Sequence, residues 1–184
     1  MIRLALGLLA AMRLAIGRAD GLDLLNPPEG RPMAVAQHSF WALALALPGF
    51  LLLRAIGSEP GAFVDGLLRD LLSFAISWLG FALITFEMAR LLQRQPVWPR
   101  FMAAWNYCNV VQYMLLMAAS MPALLGLPLW MSQTCWLVAL GWSIWLEYFA
   151  ARTALRLSSA QAIGVVAADF LLGVAVDAAL ASFS

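Results

Sequence analysis

The residues of this chain equipped for chemistry are few, and most sit inside apolar stretches. Phe101 to Ser120 reads FMAAWNYCNVVQYMLLMAAS, long and apolar enough to cross a bilayer, yet it carries Asn106, Asn109, Gln112 and Tyr113. At about 100° per residue, Asn106, Asn109 and Tyr113 fall within an arc of about 60°, and Gln112 widens that arc to about 120°. Amides in hydrocarbon are costly unless bonded, so this face is expected to point at protein or trapped water. Asp169 lies ten residues into a second apolar stretch, Ser159 to Ala181. A charge at mid-bilayer costs at least about 2.5–3.5 kcal/mol on insertion scales, so Asp169 needs a partner, a water pocket or a proton. Both stretches should run in the same direction, which places Asn109 and Asp169 at similar depth. The expectation is that Asp169 meets the Asn106–Asn109–Gln112 face, as glue between helices or as part of a proton or ion relay.

Other candidates are weaker. Asp177 lies two helical turns beyond Asp169 and reads as a solvated end residue. Glu147 falls near the end of another apolar stretch, at the level of His38, and pairs with it on this reading. An intramembrane carboxyl dyad needs two carboxylates at one depth facing each other. Asp169 and Asp177 share one helix and stand about 12 Å apart along it, so they fit that geometry badly. With a single His, no GxSxG and no Lys, the chain carries no paired-histidine zinc motif, nucleophile elbow or phosphate-binding lysine loop. Cys108 and Cys135 read as buried small hydrophobes, not as a disulfide framework or a metal site. No metal and no cofactor is expected, and an enzyme is disfavoured. A cavity opening sideways to lipid with Glu147 or Asp169 inside it would bring catalysis back.

Composition explains why these groups stand out. Of 184 residues, 64% are hydrophobic and 11% charged, whereas soluble domains carry about 25% charged residues. Mean hydropathy is +0.85. The length allows one domain, or five to six spans of about 20 residues. The net charge of +1 gives no reason to expect nucleic acid. All basic residues are Arg, and with so much Ala and Leu this points to a GC-rich coding sequence and so to a bacterium.

The elements that must position these residues follow in order. Residues 1–18 predict an amphipathic helix lying on the membrane, with Arg3, Gly7, Ala10, Gly17 and Arg18 on one side and Arg13 at its edge. Leu4, Leu8, Leu9, Met12 and Ile16 form the other side. Arg3, Arg13 and Arg18 would sit among lipid phosphates; a cleaved signal is the alternative. Ala19 to Met33, rich in Pro, Gly and Asp, predicts an aqueous loop. Residues 1–33 thus form an interfacial helix and loop, and residues 34–184 a bundle of five transmembrane helices. The spans are about 38–56, 67–88, 101–120, 129–151 and 159–181. Pro48–Gly49 should kink the first. Ser73 and Ser77 give the second a small packing face, and Ala160, Gly164 and Ala168 repeat every fourth residue in the last, a pattern that lets helices approach closely.

Arginine placement sets the orientation. With the N-terminus in the cytoplasm, Arg3, Arg13, Arg18, Arg31, Arg90, Arg94, Arg100, Arg152 and Arg156 lie inside and only Arg54 and Arg69 outside. Arg90, Arg94 and Arg100 form a basic connector suited to lipid headgroups. The C-terminus then ends in the periplasm, and the expected location is a bacterial inner membrane.

This layout resembles the Yip-type membrane proteins. The segment YFAARTALRLSSAQAIGVVAADFLLG is similar to that family's short basic turn followed by a small-residue last span, and WNYCNVVQ sits where the family has a polar aromatic cluster. The resemblance covers roughly Gln37 to the C-terminus; Asp169 and the Asn106/Asn109 pair fall outside its pattern. It implies a non-enzymatic protein that organises membranes or binds other membrane proteins. The leading expectation is an integral membrane scaffold or accessory subunit, with partners in the lipid bilayer: a larger inner-membrane complex or further copies of itself as a homo-oligomer. The alternative is an oligomeric channel or a proton- or ion-coupled transporter using Asp169 and the Asn106/Asn109/Gln112 face.

Overall fold

A chain this apolar closes its backbone hydrogen bonds locally, and its regular structure is helical throughout the described residues. The computed structural model describes the backbone of residues 2–57 and 62–182, and the side chains of residues 4–57 and 66–182. Helix α1 spans Ile2–Ala15, α2 Ala34–Ser39, α3 Trp41–Gly57, α4 Ala62–Leu91, α5 Trp98–Leu124, α6 Leu129–Ala154 and α7 Ser159–Ala181. Short 3-10 turns cover Ala19–Leu25 and Gln95–Val97. The punctuation is chemical. Pro99 occupies the first turn of α5, where its missing N–H is not needed. Gly126 takes a φ of 67° just past the end of α5. Ser158 and Gln161 form a reciprocal capping box that starts α7.

Three segments are long and apolar enough to cross a membrane: 34–57, 66–91 and 159–181, with mean hydropathies of 1.8, 1.7 and 2.0. Five had been expected. Helices α5 and α6 are as long, at 27 and 26 residues, but more polar. In α5 those polar residues have an interior use, because α5 is the axis of the bundle and packs against α1, α2, α3, α4 and α6. Phe101, Met102, Ala103, Ala104 and Asn106 are fully buried. Helix α7 packs on α4 and α6. A run of aromatic rings ties α3, α4 and α5 together: Phe50–Phe74, Phe74–Trp78 and Trp78–Trp105 have centroids 5.1, 5.1 and 5.0 Å apart, and Phe81 stacks on Trp105 at 4.2 Å.

Helix α1 reverses the expected arrangement. Its small-residue side, Gly7, Ala10, Ala11 and Leu14, is buried, and α1 packs on α5. A Cβ at Gly7 would collide with the Tyr107 ring, so glycine is what permits the approach. Leu9, Met12 and Ile16 face outward. The expected aqueous loop contains the 3-10 turn Ala19–Leu25, whose Leu22 and Leu25 are buried. Arg13 and Arg18 do not stand free for headgroups: both hold Asp20, at 3.3 and 2.8 Å. Arg90 pairs with Glu87, its Nε donating at 2.7 Å, and Arg100 donates to Asn26 at 3.2 Å. Arg94 is exposed; the side chain of Arg3 and the turn around Glu59 and Asp65 lie outside the described residues. Pro48 sits within continuous α3, and the break in the first span falls instead at Phe40, between α2 and α3.

Candidate functional site

Helices α6 and α7 are antiparallel neighbours joined by a short connector. Glu147 lies seven residues before the end of α6 and Asp169 ten after the start of α7. At a rise of about 1.5 Å per residue both stand roughly 10–15 Å from the connector. Their side chains line one cavity and interact there. Glu147 is 9% exposed, and its Oε1 is buried without a hydrogen-bond donor. Two bare carboxylates in contact repel, whereas one shared proton makes the contact a hydrogen bond.

The surroundings supply neutral amides and hydroxyls in place of cations. Gln112 Nε2 donates to the Ser143 carbonyl at 2.8 Å, and Asn109 Nδ2 donates to the Trp105 carbonyl at 3.0 Å. Each amide thus spends one of its two N–H groups on backbone and keeps the other N–H and its oxygen for the cavity. Ser143 Oγ is buried and unpartnered as well. Gln112, Ser143 and Glu147, together with Asn109, Tyr113 and Asp169, line a cavity of about 460 Å³. Its remaining wall is apolar and includes Leu140, Ile144, Ile163 and Phe170, which are also exposed on the outside of the bundle. The cavity thus reaches the surface between α6 and α7.

A second cavity of about 210 Å³ shares Asn109, Tyr113 and Asp169 with the first and continues past Ser77 to Ser73, Arg54 and Asp177. At that end Arg54 Nη2 meets Asp177 at 2.8 Å, and Ser73 Oγ donates to Asp177 Oδ1 at 2.7 Å. Arg54 Nε also lies 3.8 Å from the buried carboxylate of Asp70, and its guanidinium rests 5.3 Å above the Phe50 ring. Asp177 keeps 51% of its side chain exposed, and it also ties α7 to α3 and α4.

The expected polar face of α5 divides in two. Asn109, Gln112 and Tyr113 share the cavity with Asp169, as expected. Asn106 does not: its Oδ1 accepts from Trp78 Nε1 at 2.8 Å, and its Nδ2 donates to Ser39 Oγ at 2.7 Å. It fastens α2, α4 and α5 to one another. The pairing of Glu147 with His38 is also overturned, since His38 Nδ1 lies 2.6 Å from the Ala34 carbonyl and the ring lines a separate cavity beside Tyr107. The Glu147–Asp169 pair had a signal in the sequence: both residues count to similar depth from the α6–α7 connector.

The small-residue stripe of α7 faces the other way. Ala162, Val165 and Val176 are buried and lie at heptad-related positions around Asp169, so turning the carboxyl inward turns those residues inward too. Ala160 and Gly164 are exposed, nothing lies within 4 Å of a Cβ built on Gly164, and Ala168 is half-buried. Ser73 is buried as a donor to Asp177, and Ser77 borders the smaller cavity. Cys108 is buried and Cys135 partly so, both as free thiols. Among the described residues no three His, Cys, Asp or Glu side chains converge as a metal site would need. No family model, no curated protein and no solved structure matches this chain.

Proposed function

We propose that this is a non-enzymatic, five-span integral membrane protein that binds and releases a proton at Glu147 and Asp169 inside the bilayer. It works either as a proton-coupled transporter or as the proton-handling accessory subunit of a larger inner-membrane complex. Helices α3 to α7 are the five spans. At about 1.5 Å per residue, α5 and α6 are each roughly 40 Å long, enough for a hydrocarbon core of about 30 Å. Their polar side chains cross at tolerable cost because they turn inward, while α6 presents Leu137, Val138 and Ile144 outward. The arginine asymmetry favours a cytoplasmic N-terminus and a periplasmic C-terminus. This is also the layout of the Yip-type proteins, which the chain resembles in sequence.

The observation that carries the reading is the presence of two carboxyl groups from different helices, one of them nine-tenths buried, in a cavity otherwise walled by neutral polar and apolar groups. Structural glue needs a donor and an acceptor; two acids satisfy each other only through a mobile proton. The test is proton flux into liposomes reconstituted with the purified protein, with and without an imposed membrane potential. Flux that disappears in Asp169→Asn and in Glu147→Gln supports the reading. Flux unchanged by both substitutions sinks it, and absent flux with unchanged association with co-purifying membrane proteins leaves a passive scaffold.

A second reading is favoured by the opening between α6 and α7. A carboxyl pair that shares a proton and opens sideways to lipid also meets the geometric demand for acid–base hydrolysis of a membrane-embedded bond. Cleavage of co-reconstituted membrane peptides that is abolished by Asp169→Asn would select it over proton handling alone.

A further inference from the structure

We infer that the carboxyl pair exchanges its proton with one face only, the Arg54–Asp177 end of the bundle, through the cavity beneath that ion pair. The inference rests on reading Glu147 and Asp169 as a proton site, and adds the route and its gate. Two observations support it. Ser143 Oγ and Glu147 Oε1 are buried, unpartnered oxygens bordering the larger cavity, which shares Asn109, Tyr113 and Asp169 with the one beneath the ion pair, as expected of groups that take water or a proton. Packing also differs between the two ends of the bundle. Toward the α6–α7 connector, Phe101, Met102, Leu146, Ala150, Ala154 and Val165 are all fully buried, and the polar side chains buried on that side, Thr85, Asn106 and Ser39, are each held in hydrogen bonds. Side chains packed this closely hinder the passage of water and with it of a proton.

Toward the other end the interior is open and polar. The cavity of about 210 Å³ runs from Asp169 past Asn109, Tyr113 and Ser77 to Ser73 and Asp177. At about 30 Å³ per water it has room for several, enough to bridge the two helical turns between the aspartates. Its mouth is closed by Arg54, which holds Asp177 at 2.8 Å. The side chains of Arg54 and Asp177 keep 35% and 51% of their surface exposed, so the closing pair is itself wetted and can exchange partners. The titratable and charged groups facing the site are Cys108 and Tyr113 on α5 and Asp177 on α7, with Arg54 on α3 and Asp70 and Arg69 on α4 around the mouth.

The test uses a membrane-permeant carbodiimide, which adds to protonated carboxyls, on the full-length protein in sealed vesicles of uniform orientation. Labelling of Glu147 and Asp169 is read by mass spectrometry while the pH is raised on one side at a time. Labelling should fall several-fold when the Arg54 side is made alkaline and stay constant when the other side is. Arg54→Gln should speed that fall several-fold, and Ser73→Ala should do so more weakly. Labelling that follows the opposite side overturns the route while leaving the proton site intact. Labelling absent throughout, or indifferent to pH on both sides, overturns the proton site and the route together.

Discussion

Glu147 and Asp169 reach into one cavity from antiparallel helices, where two deprotonated acids would repel each other. An amide at either position can donate to the carboxylate that remains. Glu147→Gln and Asp169→Asn should therefore fold and keep the helices together, while proton uptake by the purified protein falls by one proton per chain. Replacing both with Ala should instead leave Ser143 and Gln112 facing an emptied cavity and lower the unfolding temperature. Potentiometric titration and a thermal melt in detergent separate the two effects.

Asn106 is the structural counterpart of that site. It is fully buried and joins Trp78 to Ser39. Asn106→Ala strands the indole N–H and should destabilise the bundle by about 1–3 kcal/mol. Asn109→Ala touches one backbone carbonyl of its own helix and should cost less than about 1 kcal/mol. Reversible unfolding in mixed micelles reads the difference, and equal losses would remove the distinction drawn between these two amides.

Gly7 sets the distance between α1 and α5. Gly7→Val should drive α1 off Tyr107 and expose the Ala10–Leu14 face to protease, whereas Met12→Val, on the outward side, should not. Tyr107→Ala should restore protection to the Gly7→Val protein. Limited proteolysis reports all three.

The Arg18–Asp20 contact lies at the surface and should respond to acid. The hydrogen bond from Arg18 holds the Asp20 carboxyl below its ordinary value. A lowered folded value means the contact contributes above the ordinary carboxylate pKa of about 3.9 and is lost as pH falls through the lower one. Amide protection in the Ala19–Leu25 turn, relative to the unfolded chain at the same pH, should be constant near neutrality and fall only in strong acid. Asp20→Asn should show the lower protection at every pH.

Gly164 distinguishes a free-standing protein from a subunit. Nothing in the chain occupies the space beside it, so Gly164→Leu should leave monomer stability unchanged. If the protein serves a larger complex through α7, the same substitution should release it from co-purifying membrane proteins, as seen by native mass spectrometry.

The sequence by itself determined the helical class, because apolar runs punctuated by Pro, Gly and Ser–x–x–Gln caps leave the backbone no other way to satisfy itself. The expected last span, 159–181, coincides with α7, since its start is written in the Ser158–Gln161 cap. It also marked Asp169 as a residue in need of company, because a lone carboxyl in hydrocarbon is expensive whatever surrounds it. What sequence could not determine was rotation. Periodicity separates the Leu9–Met12–Ile16 side of α1 from its Gly7–Ala10 side, but in a membrane protein the leucines can face lipid and the small residues protein. The stripe at Ala160 and Gly164 was legible as a packing surface, yet α7 rolled it outward because Asp169 had to turn in. Only the tertiary structure brought Glu147 to Asp169 and set Asn106 apart from Asn109: those choices follow from how the other helices pack on and beside α5, a global compromise that no single stretch encodes.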